Sequence, residues 1–163
     1  MTMAPLHPVP VTETSTIATQ VAALCWRLHK GLVEVLMITS RETGRWVIPK
    51  GWPIEGLSSA EAAAREAWEE AGVRGRVQAV PLGAYLYDKI TGPARSRRCN
   101  VAVFALQVDE LKSRFPEAGE RRRSWFSARE AATLVAEPDL NALLTAVAEA
   151  PDRLSGAESG GAA

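Results

Sequence analysis

The sequence predicts one α/β domain in which helices cover both faces of a central sheet, an α/β/α sandwich. Three observations predict this fold: long apolar runs of strand character early and late in the chain, one alanine-rich helix between them, and two short helical segments near the C-terminus. A length of 163 residues is usual for one domain, and 47% hydrophobic residues are enough for one core. We expect the domain at residues 17–150, between flexible segments at 1–16 and 151–163.

The strands are predicted from their apolar runs and from the turn residues between them. Residues 17–28 have the pattern of a buried strand, and residues 32–39 that of its hairpin partner across Lys30-Gly31. The other extended segments are a short strand at 46–48, a segment at 76–87 that Pro81 and Gly83 interrupt, a central strand at 98–108 and a short strand at 124–126.

The longest predicted helix follows the short strand at 46–48. Either Ser58 or Ser59 can cap its start, with Glu61 as the partner in a capping box. Gly72 is expected to end the helix, because glycine adopts a positive φ at low cost. A stripe of small side chains would let this helix lie close to the sheet. The stripe consists of Ala60, Ala64, Ala67 and Ala71.

Two shorter helices are predicted near the C-terminus. Ser127 is expected to cap a helix over residues 128–135, and Asp139 to cap another over residues 140–150. Together with the inner helix they supply the outer layers of the sandwich.

Three carboxylates share one face of the inner helix. Glu66, Glu69 and Glu70 have the spacing i, i+3, i+4, which brings them together at 3.6 residues per turn. Like charges at this spacing repel one another. A hard divalent cation such as Mg²⁺ or Mn²⁺ would remove that repulsion, since it prefers oxygen ligands. An ordinary exposed, glutamate-rich helix face is the alternative interpretation of the same pattern.

Gly51 and the segment Arg65-Glu66-Ala67-Trp68-Glu69-Glu70-Ala71-Gly72-Val73 resemble the Nudix box, G-x5-E-x7-R-E-U-x-E-E-x-G-U, where U is a bulky apolar residue. Two positions depart from it: Ala67 is a small version of an apolar position, and Leu57 stands where the family has its first Glu. On this pattern the chain is identified as a member of the Nudix family. The resemblance implies an α/β/α sandwich with a mixed central sheet, in which the box forms a loop-helix-loop.

The resemblance also implies hydrolysis of a diphosphate linked to another moiety, with Mg²⁺ or Mn²⁺ as cofactor. Carried onto this chain, the metal ligands are Glu66, Glu69 and Glu70, with Gly51 as a backbone-carbonyl ligand. The expected catalytic residues are Glu66, Glu69 and Arg65. Either Glu66 or Glu69 could orient the attacking water or accept its proton, and the sequence leaves the base unassigned.

Leu57 removes the carboxylate that would ordinarily hold the box arginine. Glu61 and Glu69 lie four residues on either side of Arg65, so we expect them to hold its guanidinium by helical ion pairs. Glu55 in the preceding loop is another possible substitute. We therefore expect an active enzyme, and a non-catalytic phospholigand-binding module is the alternative.

Clusters of basic residues predict contacts with substrate phosphates. The segment 89–98 carries four cations and no acid and is interpreted as a hairpin loop. Arginine forks match phosphate oxygens. By contrast, the run 121–123 is interpreted as a solvated surface, because Glu117 and Glu120 are adjacent. The expected phosphate-binding residues are Arg41, Arg45, Lys50, Lys89, Arg95, Arg97 and Arg98.

The segment Trp46-Val47-Ile48-Pro49-Lys50-Gly51 is similar to the W-x-x-P-K-G entry of Nudix members that act on diphosphoinositol polyphosphates and diadenosine polyphosphates. Those substrates are favoured, the inositol type modestly, over the ADP-ribose or nucleoside triphosphate type. Tyr85, Tyr87 and Trp52 could stack an adenine, but packing is the favoured interpretation, since tyrosines in strands mostly lie in the core or at its rim.

Charge and cysteine content bound the partners and the compartment. The formal net charge is zero, so no global field favours nucleic acid or a membrane as a partner. Cys25 and Cys99 lie far apart and are expected to be buried free thiols. With no secretory pattern at the N-terminus, a cytoplasmic location is expected. The partner is then a small polyphosphate, and both a monomer and a homodimer remain open.

Overall fold

The computed structural model describes residues 17–155 and shows one mixed eight-stranded sheet in that part of the chain. The expected flexible segment at 1–16 lies outside the described residues. The strands are β1 (Ala18–His29), β2 (Leu32–Thr39), β3 (Trp46–Val47), β4 (Lys50–Gly51), β5 (Val73–Val77), β6 (Gly83–Gly92), β7 (Arg95–Leu111) and β8 (Arg123–Ser127).

The two central strands, β1 and β7, run parallel, in register from Ala18↔Cys99 to Trp26↔Gln107. β2 pairs antiparallel with β1 through the predicted hairpin, where Lys30 and Gly31 have φ of 54° and 80°. β3 and β8 pair with β2, whereas β5 and β6 pair with β7. β4 pairs with β1 and thereby brings the start of the box against the centre of the sheet.

Helices cover both faces of this sheet, as predicted. Alternate residues of β1 face opposite layers: Val21 packs in the cluster of α1 (Ser59–Ala71), and Leu24 in the cluster of α2 (Ala128–Leu134) and α3 (Pro138–Glu149). The chain therefore has the α/β/α architecture that its apolar pattern predicts.

The inner helix α1 is built as the sequence predicts at both ends. Ser58 is its N-cap in a full capping box with Glu61, and Gly72 closes it at φ 72°. The buried small-residue stripe differs from the predicted one, because Ala62 and Ala63 are fully buried and Ala64 is only partly so. Alanines in this stripe let the helix pack directly on β1.

Two boundaries near the C-terminus were wrong. α3 begins at Pro138 with Glu137 as N-cap, rather than after Asp139, because a proline fits the first helical turn. Residues Pro151–Ser155, expected to start the flexible tail, form a 3-10 helix whose Leu154 is 1% exposed in the core. Residues 156–163 lie outside the described part of the chain.

The predicted loop at 89–98 is also wrong. β6 and β7 form an antiparallel ribbon with one register shift between Ile90 and Gly92, and Lys89 lies opposite Arg97 and Asp88 opposite Arg98. The ladder continues this far because the turn is tight and Ala94 at its tip adopts φ 56°. The four cations of this segment therefore lie on strands, and neighbouring residues point to opposite faces.

Cys25 and Cys99 are both buried and free, as expected, and burial raises the pKa of the Cys25 thiol to about 12. Within residues 17–155, no helix has the length and apolar character needed to span a bilayer.

Candidate active site

A cleft of about 410 Å³ lies between α1, β4 and the edge strand β6. Its volume is within the range of small-molecule sites. Polar and charged side chains dominate its walls, and two of the acids come from α1. The charged residues that line the cleft are Arg41, Glu42, Lys50, Glu66, Glu70, Lys89, Glu117 and Arg121.

The backbone of β4 lies directly against the acidic face of α1. Gly51 pairs with Val21, and a Cβ on Gly51 would overlap the carboxyl group of Glu66. Only glycine permits so close an approach. One residue earlier, the Lys50 backbone N–H donates to Glu70 Oε1 at 3.3 Å. The short strand β4 therefore orients both carboxylates.

Burial raises the pKa of both Glu66 and Glu70. Burial raises the pKa of Glu70 to about 8, and the nearby Glu66 adds to the shift while Arg121 opposes it. Burial also raises the pKa of Glu66, although its hydrogen bond with Glu70 acts in the opposite direction. Two facing carboxylates in a poorly solvated site cannot both ionise easily. Burial and mutual repulsion therefore make this pair harder to ionise than an exposed carboxylate.

Glu69 lies outside this pair. Its side chain does not line the cleft, and its backbone carbonyl accepts a hydrogen bond from the Glu117 N–H at 3.0 Å. Among residues 17–155, no three His, Cys, Asp or Glu side chains converge as a preformed metal cluster. The remaining donor set still fits Mg²⁺, which commonly uses one or two carboxylates and completes its coordination with water and substrate phosphates. The three-glutamate ligand set stays a prediction.

Arg121 is the main residue that sequence reasoning missed. Its side chain is 10% exposed and lines the cleft, with Nη2 3.0 Å from Glu117 Oε1 and 3.8 Å from Glu70 Oε2. It also donates to the Thr39 carbonyl at 3.2 Å. The solvated-surface interpretation of this position was therefore wrong. The only local signal was the spacing Glu117 to Arg121, which allows an i, i+4 pair.

The other two arginines of that run make structural contacts. The guanidinium of Arg122 lies 5.4 Å from the centroid of the Trp46 ring, and that of Arg123 lies 4.9 Å from the Phe115 ring. Arg123 also donates to the Ala71 carbonyl and so helps to close the end of α1. The Arg123–Ala71 contact therefore holds the start of β8 against the end of the box helix.

A family model for the NUDIX domain matches residues 18–146 of this chain. The chain belongs to the Nudix family. Its sequence is 36% identical over 105 residues to Nudix hydrolase 12, mitochondrial, of Arabidopsis thaliana. The aligned segment covers 63% of this chain and 52% of the relative. It is 31% identical over 112 residues to diphosphoinositol polyphosphate phosphohydrolase 3-alpha of Mus musculus. That aligned segment covers 68% of this chain and 64% of the relative.

The fold of this Nudix protein is similar to that of solved structures. The structure of the C. elegans Ap4A hydrolase superposes with a TM-score of 0.57 at 17% identity, covering 80% of this chain and 95% of that chain. At this identity the likeness shows the fold alone. The chain spans about half the length of the first curated relatives it matches.

The predicted phosphate-binding residues of the Nudix protein fall into three groups. Lys50, Lys89 and Arg41 line the cleft. Arg45 and Arg98 line a neighbouring cavity instead. Arg95 and Arg97, at the end of the β6–β7 ribbon, line a separate depression rather than the cleft.

Lys50 lines the cleft, and its amine lies over an aromatic ring. Its Nζ lies 5.0 Å from the centroid of the Tyr87 ring, and the Tyr87 hydroxyl donates to Gln20 Oε1 at 2.7 Å. Burial lowers the pKa of Lys50, opposed by Glu70. An anionic ligand beside this amine would favour its charged form. Of the three aromatic residues considered for stacking, Tyr85 is 2% exposed in the core, whereas Tyr87 and Trp52 line the cleft.

The ion pairs expected for the arginine of the Nudix box are absent from the described residues. Arg65 is exposed, and the salt bridges within residues 17–155 include none to Glu61 or Glu69. Glu61 is already engaged, since its Oε1 accepts the Ser58 N–H at 2.9 Å in the capping box. The expectation that Glu61 and Glu69 hold Arg65 in place of the missing first box Glu is therefore wrong.

Proposed function

We propose that this Nudix protein is a divalent-metal-dependent hydrolase that cleaves a diphosphate linkage in a multiply phosphorylated small molecule. Diphosphoinositol polyphosphates and diadenosine polyphosphates are the proposed substrate classes. One observation carries the proposal: Glu66 and Glu70 line one side of a cleft whose other walls carry the cations Arg41, Lys50 and Lys89. A site of this kind accepts a cation at its acidic side and phosphate oxygens at its basic side.

Mg²⁺ or Mn²⁺ would be held by Glu66, Glu70 and the Gly51 backbone, with Glu69 as the further ligand implied by the box. When bound, such an ion supplies positive charge to phosphate oxygens and acidifies water. Glu66 or Glu69 accepts the proton of the attacking water in this proposal. Oxygen-only donors at the acidic wall are consistent with these hard cations.

The cations of the cleft bind and orient the phosphate chain. Lys50 approaches from β4, Lys89 from β6 and Arg41 from the segment after β2. The Arg41 guanidinium is half exposed and pairs with Glu120 at 2.8 Å, so it can exchange that partner for a phosphate. Charge growing on the leaving phosphate is stabilised best by groups already in position, and Lys50, held over Tyr87, meets this condition.

A non-catalytic phospholigand-binding module is the second candidate. Leu57 in place of the first box Glu and the unpaired state of Arg65 among the described residues favour it. A nucleoside diphosphate-X pyrophosphatase of the ADP-ribose or nucleoside triphosphate type is a different specificity on the same chemistry. A cytoplasmic location, a partner set without nucleic acid or membrane, and a monomeric or homodimeric state remain predictions.

One panel assay tests these alternatives. The purified chain is incubated with diphosphoinositol polyphosphate, diadenosine tetraphosphate, ADP-ribose and a nucleoside triphosphate, with Mg²⁺, with Mn²⁺ and with EDTA. We expect metal-dependent phosphate release, fastest with the first two. Tight binding of a ligand without turnover by any metal form would favour the binding module. Equal or better turnover of ADP-ribose would contradict the substrate assignment.

A further inference from the structure

Each oxygen of the Glu70 carboxylate meets a different neighbouring group. Oε1 accepts the backbone N–H of Lys50, on β4, at 3.3 Å. Oε2 lies 3.8 Å from Arg121 Nη2, at ion-pair distance, and both of these side chains are largely buried. A pair with little solvent around it is screened less than one at the surface. The carboxylate is therefore oriented from two sides, by the backbone of β4 and by a cation that lies outside the Nudix box.

The guanidinium group of Arg121 is itself held by other partners. Its Nε donates to Glu117 Oε1 at 3.0 Å, and its Nη1 donates to the Thr39 carbonyl at 3.2 Å. The adjacent backbone is tied to the same residue of β2, because the Arg122 N–H donates to Thr39 Oγ1 at 2.9 Å. A planar guanidinium whose donors are already engaged loses little further freedom when it orders a neighbour. Arg121 is therefore a rigid support beside Glu70.

The arginine of the box gives the acidic face no comparable support. Arg65 is exposed and takes part in none of the salt bridges within residues 17–155. In the same part of the chain, the salt bridge that reaches a glutamate of the box comes from Arg121. Its partner Glu117 is also attached to α1, because the Glu117 N–H donates to the Glu69 carbonyl at 3.0 Å. The segment before β8 thus brings an anchored cation to the helix that carries Glu70.

We propose that Arg121 is a positioning residue for the hydrolytic reaction, which holds the Glu70 carboxylate in the orientation that takes up the divalent cation. The inference rests on the proposed function, in which Glu70 is a metal ligand. Arg121 acts through Glu70 and not by contact with the substrate. It supplies from outside the box the ordering that Arg65 does not supply, and so a box with Leu57 in place of its first Glu still presents an oriented carboxylate.

The first test measures Mg²⁺ binding by titration calorimetry. Arg121→Lys separates geometry from charge, because lysine keeps the positive charge but lacks the planar fork that reaches several partners at once. Arg122→Lys is the matched control, since this neighbouring side chain is exposed and makes no contact with Glu70. We expect Arg121→Lys to bind Mg²⁺ about tenfold more weakly than the wild type, and the control to bind it equally well. Equal affinities of Arg121→Lys and the wild type overturn the proposal.

A second test separates positioning from contact with the substrate. The rate of diadenosine tetraphosphate hydrolysis is measured against Mg²⁺ concentration. For Arg121→Lys, we expect the Mg²⁺ concentration that gives half the maximal rate to rise about tenfold. The KM for the dinucleotide at saturating Mg²⁺ should stay within about twofold of the wild-type value. A raised KM at saturating Mg²⁺ with an unchanged Mg²⁺ requirement overturns the proposal, because it would make Arg121 a phosphate contact.

The inference and the proposed function fail separately. If the wild type hydrolyses no polyphosphate with any metal, the proposed function fails, and the calorimetric titration still decides whether Arg121 orients Glu70 for Mg²⁺. If Arg121→Lys does not fold, crystals of the wild type soaked in Mn²⁺ give the answer. We expect the guanidinium to remain within about 4 Å of the Glu70 carboxylate beside the bound ion. A guanidinium that has turned away from Glu70 overturns the proposal.

Discussion

Arg121 Nη2 lies 3.8 Å from Glu70 Oε2, and the two side chains are only 10% and 11% exposed. The same guanidinium group contacts Glu117 at 3.0 Å. One buried cation thus stands between two acids of the cleft, and it opposes the rise in the pKa of Glu70 that burial causes. The cation ties the segment before β8 to the acidic face of α1.

Replacing Arg121 tests this tie. We expect Arg121→Ala to lower the free energy of unfolding by about 3 kcal/mol, because it leaves buried carboxylates without their cation. Arg122→Ala is the control, since Arg122 is exposed and only its contact with Trp46 is lost, which is worth about 1 kcal/mol or less. Urea denaturation of both variants gives the comparison. Equal losses would mean that the buried ion pair contributes nothing beyond a surface contact.

The carboxylates of the box give a second prediction. We expect Glu66→Gln and Glu70→Gln each to lower kcat by about 10²-fold or more at saturating substrate, since each would remove a negatively charged ligand of the proposed metal. Glu69→Gln is expected to follow them, which requires its carboxylate to turn into the cleft when metal binds. Glu149→Gln, at the exposed end of α3, is the control. A Glu69 variant of full activity would remove this residue from the proposed ligands and bases.

Much of the box could be predicted because its signals are local. The capping box of Ser58 and Glu61 and the left-handed Gly72 depend on residues within one helical turn. The β1–β2 hairpin follows likewise from Lys30-Gly31 between two apolar runs. In each case the sequence neighbours are also the spatial neighbours, so pattern and structure agree.

The remaining site residues depend on contacts between distant segments. Arg121 lines the cleft, and the nearby Glu117 N–H donates to the Glu69 carbonyl, a contact that no local pattern indicates. The β6–β7 ribbon was mistaken for a loop because a turn with Ala94 at φ 56° is uncommon for a residue with a Cβ. In the resulting register, Arg98 lines the neighbouring cavity rather than the cleft.

The raised pKa of Glu70 predicts how stability depends on pH. The pKa of Glu70 rises from 4.5 to about 8 in the folded chain, so folding disfavours its ionised form. In EDTA, the free energy of unfolding should therefore fall as pH rises from about 5 to about 8, and level off above that. Thermal melts across this range measure the effect. Glu70→Gln cannot ionise at this position and should flatten the curve; an unchanged slope would assign the pH dependence to other groups.

The same raised pKa predicts that metal binding is linked to pH. Because a divalent cation must displace the proton held by Glu66 and Glu70, we expect Mg²⁺ to bind more tightly as pH rises toward about 8. Titration calorimetry in buffers of different ionisation enthalpy counts the protons released. Binding that releases no proton at pH 7 would show that Mg²⁺ does not use this pair.

Gly51 offers the sharpest test of the geometry, because only its missing side chain allows β4 to lie against α1. A Cβ at this position would overlap the carboxyl group of Glu66, so Gly51→Ala must displace that group from the cleft. We expect about a tenfold weaker apparent affinity for Mg²⁺ and a matching loss of kcat/KM, with stability changed much less. Gly92→Ala is the matched control, since its Cβ would meet only the Arg95 side chain at 3.8 Å, an ordinary contact. Calorimetric metal titration and urea denaturation of both variants separate site from fold. If Gly51→Ala binds Mg²⁺ as the wild type does, the contact between β4 and Glu66 is not what orients the metal ligand, and the carboxylate of Glu70 must hold the ion without it.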